Sequence, residues 1–131
     1  MRIFVGYGYN DRDRWIEAYV FPLLSAFGCE LLHGNAVYGG TLSDEILKTI
    51  RTADAVLGFT TRRDELAPGI YRTHDWVVHE LFAAHAQDPR IPWVEVREEG
   101  VLAMGNESTI GTQSWPRVWS RLRRQPGGFR T

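Results

Sequence analysis

Cysteine is almost absent from this chain: one residue, Cys29, among 131. A disulfide framework is therefore excluded, which suits a reducing, cytoplasmic setting. Cys29 falls in an expected strand and reads as a small core residue. Long apolar runs are missing too, none approaching the roughly 20 residues that span a bilayer. The opening Met1-Arg2-Ile3-Phe4-Val5 runs straight into a strand pattern, without the length or cleavage site of a signal peptide. Neither sign of charge is in excess. A formal net charge of −1 gives no general attraction to membrane surfaces or nucleic acid, so neither is an expected partner. Internal repeats and low-complexity tracts are also lacking.

What is present describes one globular domain. Apolar residues make up 44% of the chain and charged residues 24%, enough to build and surround a real core. Arg2 to Tyr7 is a short apolar run, expected as a buried first strand, and it ends at Gly6-Tyr7-Gly8. Two glycines past a strand allow a tight turn or close approach of a ligand to the backbone. The third glycine of a dinucleotide fingerprint is missing. Asn10-Asp11-Arg12-Asp13 caps a helix expected from about residue 12, with Trp15, Ile16, Tyr19, Val20, Leu23, Leu24 and Phe27 at helical spacing. Pro22 predicts a kink, or a second helical piece beginning near it. Gly28 suits the position just past the helix end.

Cys29 to His33 is expected as the second strand, leading into a glycine-rich loop, Gly34 to Leu42, that contains Tyr38, Gly39 and Gly40. Ser43 caps the next helix, with Asp44 and Glu45 in its first turn and Ile46, Leu47 and Ile50 on its core side. Asp54 to Thr60 reads as the third strand and Ile91 to Val96 as the fourth, with a loop through Pro68-Gly69 leading to a helix in between. The β-α-β-α-β-α-β alternation predicts an α/β fold: a mostly parallel sheet with helices on both faces. Such sheets bind ligands beyond their strand C-termini, near a switch in strand order. Pro116 to Arg124 suggests a final amphipathic helix, with Trp115, Val118, Trp119 and Leu122 packing and its arginines in solvent. The expected domain is 1–124, and 125–131 reads as a tail or the start of a linker.

The stretch Thr73 to His85 organises the rest. As a helix it has Thr73 as N-cap, Asp75 at the positive end, and Val77, Val78, Leu81 and Phe82 on the flank facing a core. Trp76, Glu80 and Ala84 fall one turn apart on one face. Two readings fit: Trp76 packs and Glu80 is a solvated charge, or an aromatic ring lies beside an acid in a ligand site. Tyr7, Asn10 and Tyr38 are similarly open between packing or turn roles and ligand contact. His74 and His79 diverge on a helix, so a zinc site is not expected.

Several pieces together resemble a compact bacterial TIR domain. They are Ile3 to Tyr7, Gly39 to Ile46, Ile50 to Thr60, and Trp76-Val77-Val78-His79-Glu80-Leu81, with its Trp-x-x-x-Glu spacing. The resemblance implies a flavodoxin-like fold that cleaves NAD at the nicotinamide–ribose bond, in a setting of bacterial antiviral defence. Glu80 would be the catalytic carboxylate and Trp76 would line the pocket. Tyr7, Gly8, Asn10, Tyr38, Gly39 and Gly40 would contact substrate, and the Gly34–Leu42 loop would be a gate. NAD enters as substrate, with no separate cofactor or metal, and self-association through TIR–TIR contacts is implied. The family's usual serine after the first strand is Gly8 here, and its usual cysteine after the tryptophan is Val77.

One carboxylate suffices for such chemistry. Most glycosidases need an acid for the leaving oxygen and a second carboxylate opposite it. The nicotinamide nitrogen is already cationic, so the ring departs neutral without protonation. What remains is to stabilise an oxocarbenium-like ribose, which a fixed carboxylate does. Two rivals stand beside this reading. A nucleoside 2-deoxyribosyltransferase-like enzyme also uses a glutamate on ribose, but its family places an aspartate where this chain has His74. A non-catalytic TIR interaction module is the other.

Overall fold

The computed structural model describes residues 1–34 and 43–102, together with the backbone of 112–114. Five strands form the main sheet: β1 (Arg2–Gly6), β2 (Glu30–Leu32), β3 (Ala55–Thr60), β6 (Trp93–Arg97) and β7 (Thr112–Ser114). Their spatial order is β2-β1-β3-β6-β7, and every pairing is parallel. Between β3 and β6 the chain makes a separate antiparallel hairpin, β4 (Asp64–Ala67) and β5 (Ile70–Arg72). With the hairpin set aside, the order is that of a flavodoxin-like α/β sheet, with β1 at the switch between outgoing and returning strands.

The helices cover both faces, as the alternation predicts. On one face, α2 (Asp44–Arg51) and α3 (Asp75–His85) bury Ile46, Ile50, Val77, Leu81 and Ala84 against Phe4 and Val56. Each of the valine, leucine, isoleucine and phenylalanine side chains among them, fully withdrawn from water, contributes about 1.5–3 kcal/mol. The Ser43 hydroxyl accepts the Ile46 N–H at 3.2 Å and caps α2. On the other face, Val5, Tyr7, Ile16 and Phe59 form a second cluster. None of the helices among the described residues is long and apolar enough to cross a membrane.

The first helical region is broken into more pieces than the one break expected at Pro22. It consists of a 3-10 turn at Asp11–Asp13, a π-helical turn at Ile16–Val20, and α1 (Phe21–Ala26). Pro22 lies in the first turn of α1, so the expected second piece does begin there. Phe21 N–H bonds back to the Ile16 carbonyl, five residues away, and Pro22 has no N–H to continue an α ladder. The extra residue rotates the downstream side chains by about 100° about the helix axis. Tyr19, Leu23 and Phe27, expected to pack, are therefore 73%, 57% and 78% exposed. Gly28, with φ of 77°, comes after α1 in the left-handed region, as expected. Cys29 is only half-buried, just before β2.

In α3 the expected Thr73 cap is not made. His74 is the N-cap residue, no side chain caps the helix, and Thr73 Oγ1 is buried without a partner. Phe82, assigned to the core flank, is exposed, because the buried stripe is Val77, Glu80, Leu81 and Ala84. The fourth strand is shifted to Trp93–Arg97. The final helix expected over Pro116 to Arg124, and the tail from Gln125, lie outside the described residues.

Candidate active site

Glu80 occupies a core position. Val77, Leu81 and Ala84 surround it at i−3, i+1 and i+4, so the acid takes one place in the apolar stripe that α3 presents to the sheet. It is 2% exposed, and its Oε2 has no hydrogen-bond partner. A side chain on Gly6, at the end of β1, would overlap that oxygen, so only glycine leaves room for it. A Cβ on Gly34, where the chain leaves β2, would stand 3.8 Å from Oε1. The carboxyl thus lies just beyond the ends of β1 and β2, at the strand C-termini. Burial raises its pKa from the ordinary carboxylate range to about 8.

Trp76, one turn earlier, is half-buried, and its indole N–H donates to the Tyr7 carbonyl at 2.9 Å. This bond fixes the start of α3 to the end of β1. Tyr7 is buried, and its hydroxyl donates to Glu17 Oε1 at 2.6 Å. Its ring packs 4.5 Å from that of Tyr9 and edge-on to Phe21 at 5.5 Å. Both tyrosine hydroxyls are held well above their usual pKa, chiefly by burial. The Glu80 and Glu17 charges push Tyr9 further in the same direction, which puts Tyr9 within electrostatic range of both acids.

Beside these residues lies a cavity of about 240 Å³, lined by Tyr7, Tyr9, Asn10, Asp13 and Glu17 and rimmed by Asp11 and Arg14. Arg14 is engaged with Asp11 at 3.0 Å, so Asp13 and Glu17 give the wall an acidic character. Such a wall, with tyrosine faces, suits a flat, cationic or hydrogen-bonding group.

A buried polar network closes the crevice between β1 and β3. Asn10 Oδ1 accepts the Asp13 N–H at 3.1 Å, which turns its amide NH2 toward His74 Nε2, also 3.1 Å away. The Thr61 hydroxyl donates to Asp13 Oδ2 at 2.8 Å. His74 Nε2 is 3.5 Å from the same oxygen, too far for a good hydrogen bond. A side chain on Gly8 would collide with both His74 and Asp13. The His74 ring is 4.6 Å from the Trp76 indole, and the Arg63 guanidinium lies 5.9 Å from that indole's centroid.

Of the residues singled out in the sequence, Glu80, Trp76, Tyr7, Gly8 and Asn10 gather around the end of β1. Of these only Tyr7 and Asn10 line the cavity, and the buried Glu80 and the Trp76 indole lie outside its lining. Asn10 serves as a cap and a network member as well as a cavity wall. Tyr38, Gly39 and Gly40 lie outside the described residues. Sequence reasoning passed over Tyr9, Asp13, Glu17 and Thr61 as site residues, and weighed His74 only as a metal ligand and against the rival family's aspartate. Tyr9 alternates with Tyr7 past the strand end, which is a legible signal. Nothing local pairs Asp13 with His74, 61 positions away. Among the described residues no three His, Cys, Asp or Glu side chains gather as a metal site would require. Compared with known proteins, the chain matches no family model and no curated sequence.

Proposed function

We propose that this chain is a TIR-like NAD glycohydrolase in which Glu80 is the catalytic carboxylate. The observation that carries the reading is Glu80 itself: an acid buried in an apolar stripe, with an oxygen unpartnered, at the strand C-termini of a parallel sheet. An unpaired buried carboxyl destabilises a fold, and such groups concentrate at functional sites. With its pKa near 8, the free acid holds its proton at neutral pH. A pyridinium entering the cavity between Tyr7, Tyr9 and Glu17 brings a positive charge that favours the ionised form. The carboxylate then faces the ribose as the C–N bond breaks and nicotinamide departs neutral with the bonding electrons. It stabilises the cationic sugar until water attacks, and takes the proton that the water gives up. Tyr9, close to both Glu80 and the cavity wall, supplies a ring face for the base.

The test is nicotinamide release from NAD by concentrated protein, with Glu80→Gln alongside. Wild type releases nicotinamide, and the variant loses at least about 100-fold in rate. Turnover of deoxynucleosides instead moves the protein to the transferase class. A second reading, a TIR-like interaction module, is favoured by the exposed Tyr19-Leu23-Phe27 stripe. Silence toward both substrates, even when copies are forced together, decides for that reading.

A further inference from the structure

We infer that the first turn of α3, with Arg63 above it, is the seat of an anionic group: the diphosphate of the nucleotide whose ribose Glu80 faces. This rests on the reading of Glu80 as the catalytic carboxylate, and adds to it residues that the resemblance does not supply. No side chain caps α3. The two residues before the helix each bury a polar atom without a partner: Thr73 Oγ1 and His74 Nδ1. Both residues are more than nine-tenths buried. The orientation of Asn10 makes His74 Nε2 an acceptor, so the ring hydrogen stands on Nδ1. Two donors, a hydroxyl and an imidazole N–H, are therefore unused at the positive end of an eleven-residue helix.

The fixed cation comes from the hairpin. Arg63 lies over the Trp76 ring and contacts Asp64 only at 3.8 Å, because Arg72 holds that carboxylate at 2.7 Å. Its side chain is partly exposed, with donors to spare. Asp75, in the first turn of α3, and Asp64 oppose an anion, but both are exposed or already paired. Glu80 lies in the second turn of the helix whose start would seat the anion, so an anion there and a sugar at the carboxylate would be the two halves of one ligand.

The test uses ADP-ribose, which carries the diphosphate and the sugar but has no bond left to cleave. Its binding to the full chain is measured by calorimetry for wild type, Arg63→Gln and Thr73→Val, with folding checked by circular dichroism. Arg63→Gln is expected to weaken binding about tenfold, as loss of one charge-assisted contact does. Thr73→Val is expected to weaken binding severalfold while raising the melting temperature, since it removes a buried hydroxyl that lacks a partner. A purely structural Thr73 would not separate the two readouts. Equal affinity in wild type and Arg63→Gln, or no binding to wild type, overturns the proposal. Binding is read without turnover, so a chain that binds ADP-ribose through Arg63 and fails to cleave NAD refutes the catalytic reading alone.

Discussion

The Glu80 carboxyl fills the space into which a side chain on Gly6 would extend. Strand end and acid exclude one another, so the glycine is there to admit the carboxyl. Gly6→Ala should displace Glu80 and cost about 1–3 kcal/mol by overpacking. Gly58→Ala is the control. Its Cβ meets Leu81 at 2.8 Å, also on α3, and leaves the carboxyl alone. Urea unfolding should show similar losses for the two variants, with nicotinamide release suffering more in Gly6→Ala. Equal activity losses would sink the argument.

The raised pKa of Glu80 makes stability depend on pH. The folded state keeps its proton up to about pH 8, whereas the unfolded carboxyl gives it up near its ordinary value of 4.5. Between those values the native state binds more protons, so stability falls as pH rises and levels off above about 8. Glu80→Gln does not titrate. Its stability relative to wild type should therefore climb with pH across this window, by up to about 5 kcal/mol. Denaturant melts at pH about 5 and about 9 measure the difference, and a gap that stays constant contradicts the burial.

Trp76→Phe keeps a ring but removes the N–H that reaches the Tyr7 carbonyl. Leaving that acceptor unpaired should cost about 1 kcal/mol. Amide exchange at Gly8 and Tyr9 should quicken as the tie between α3 and β1 loosens. Unchanged exchange would show that the tie is not what holds the strand end.

Asp13→Ala strips the Thr61 hydroxyl of its acceptor in a buried place. A loss of about 1–3 kcal/mol is expected, largely from the orphaned hydroxyl. Adding Thr61→Val should then recover part of it, so the double variant loses less than the two single losses combined. Additive losses would mean the two side chains act independently.

The sequence revealed what is governed locally. Ser43 ahead of Asp44 and Glu45 announced α2, and the cap is made as expected. Glu80 was legible as a candidate because it stands one turn from the Trp76 indole, in a Trp-x-x-x-Glu spacing; that it takes a place in the buried stripe of Val77, Leu81 and Ala84 was not. Features that depend on distant partners were not legible. The hairpin strands Asp64–Ala67 and Ile70–Arg72 are short, of mixed composition, and pair around Pro68-Gly69 without an alternating apolar signal. Thr112–Ser114 is a strand because β6 offers it a ladder, not because three polar residues favour extension. The His74 network joins segments from three places in the chain, and no window of sequence contains it. Thr73 looked like a cap, yet the helix starts one residue later, and its hydroxyl is buried instead.

The five-residue π-helical turn at Ile16–Val20 has a consequence for the molecule's exterior. Such a turn is an ordinary helix carrying one additional residue. Deleting a single amino acid there would rewind the spiral and swing Leu23 and Phe27 away from their present outlook. Ile16 would stay anchored beneath the sheet throughout. One codon gained or lost thus suffices to exchange the face this segment shows to its neighbours, while the parallel scaffold and its acid keep their places.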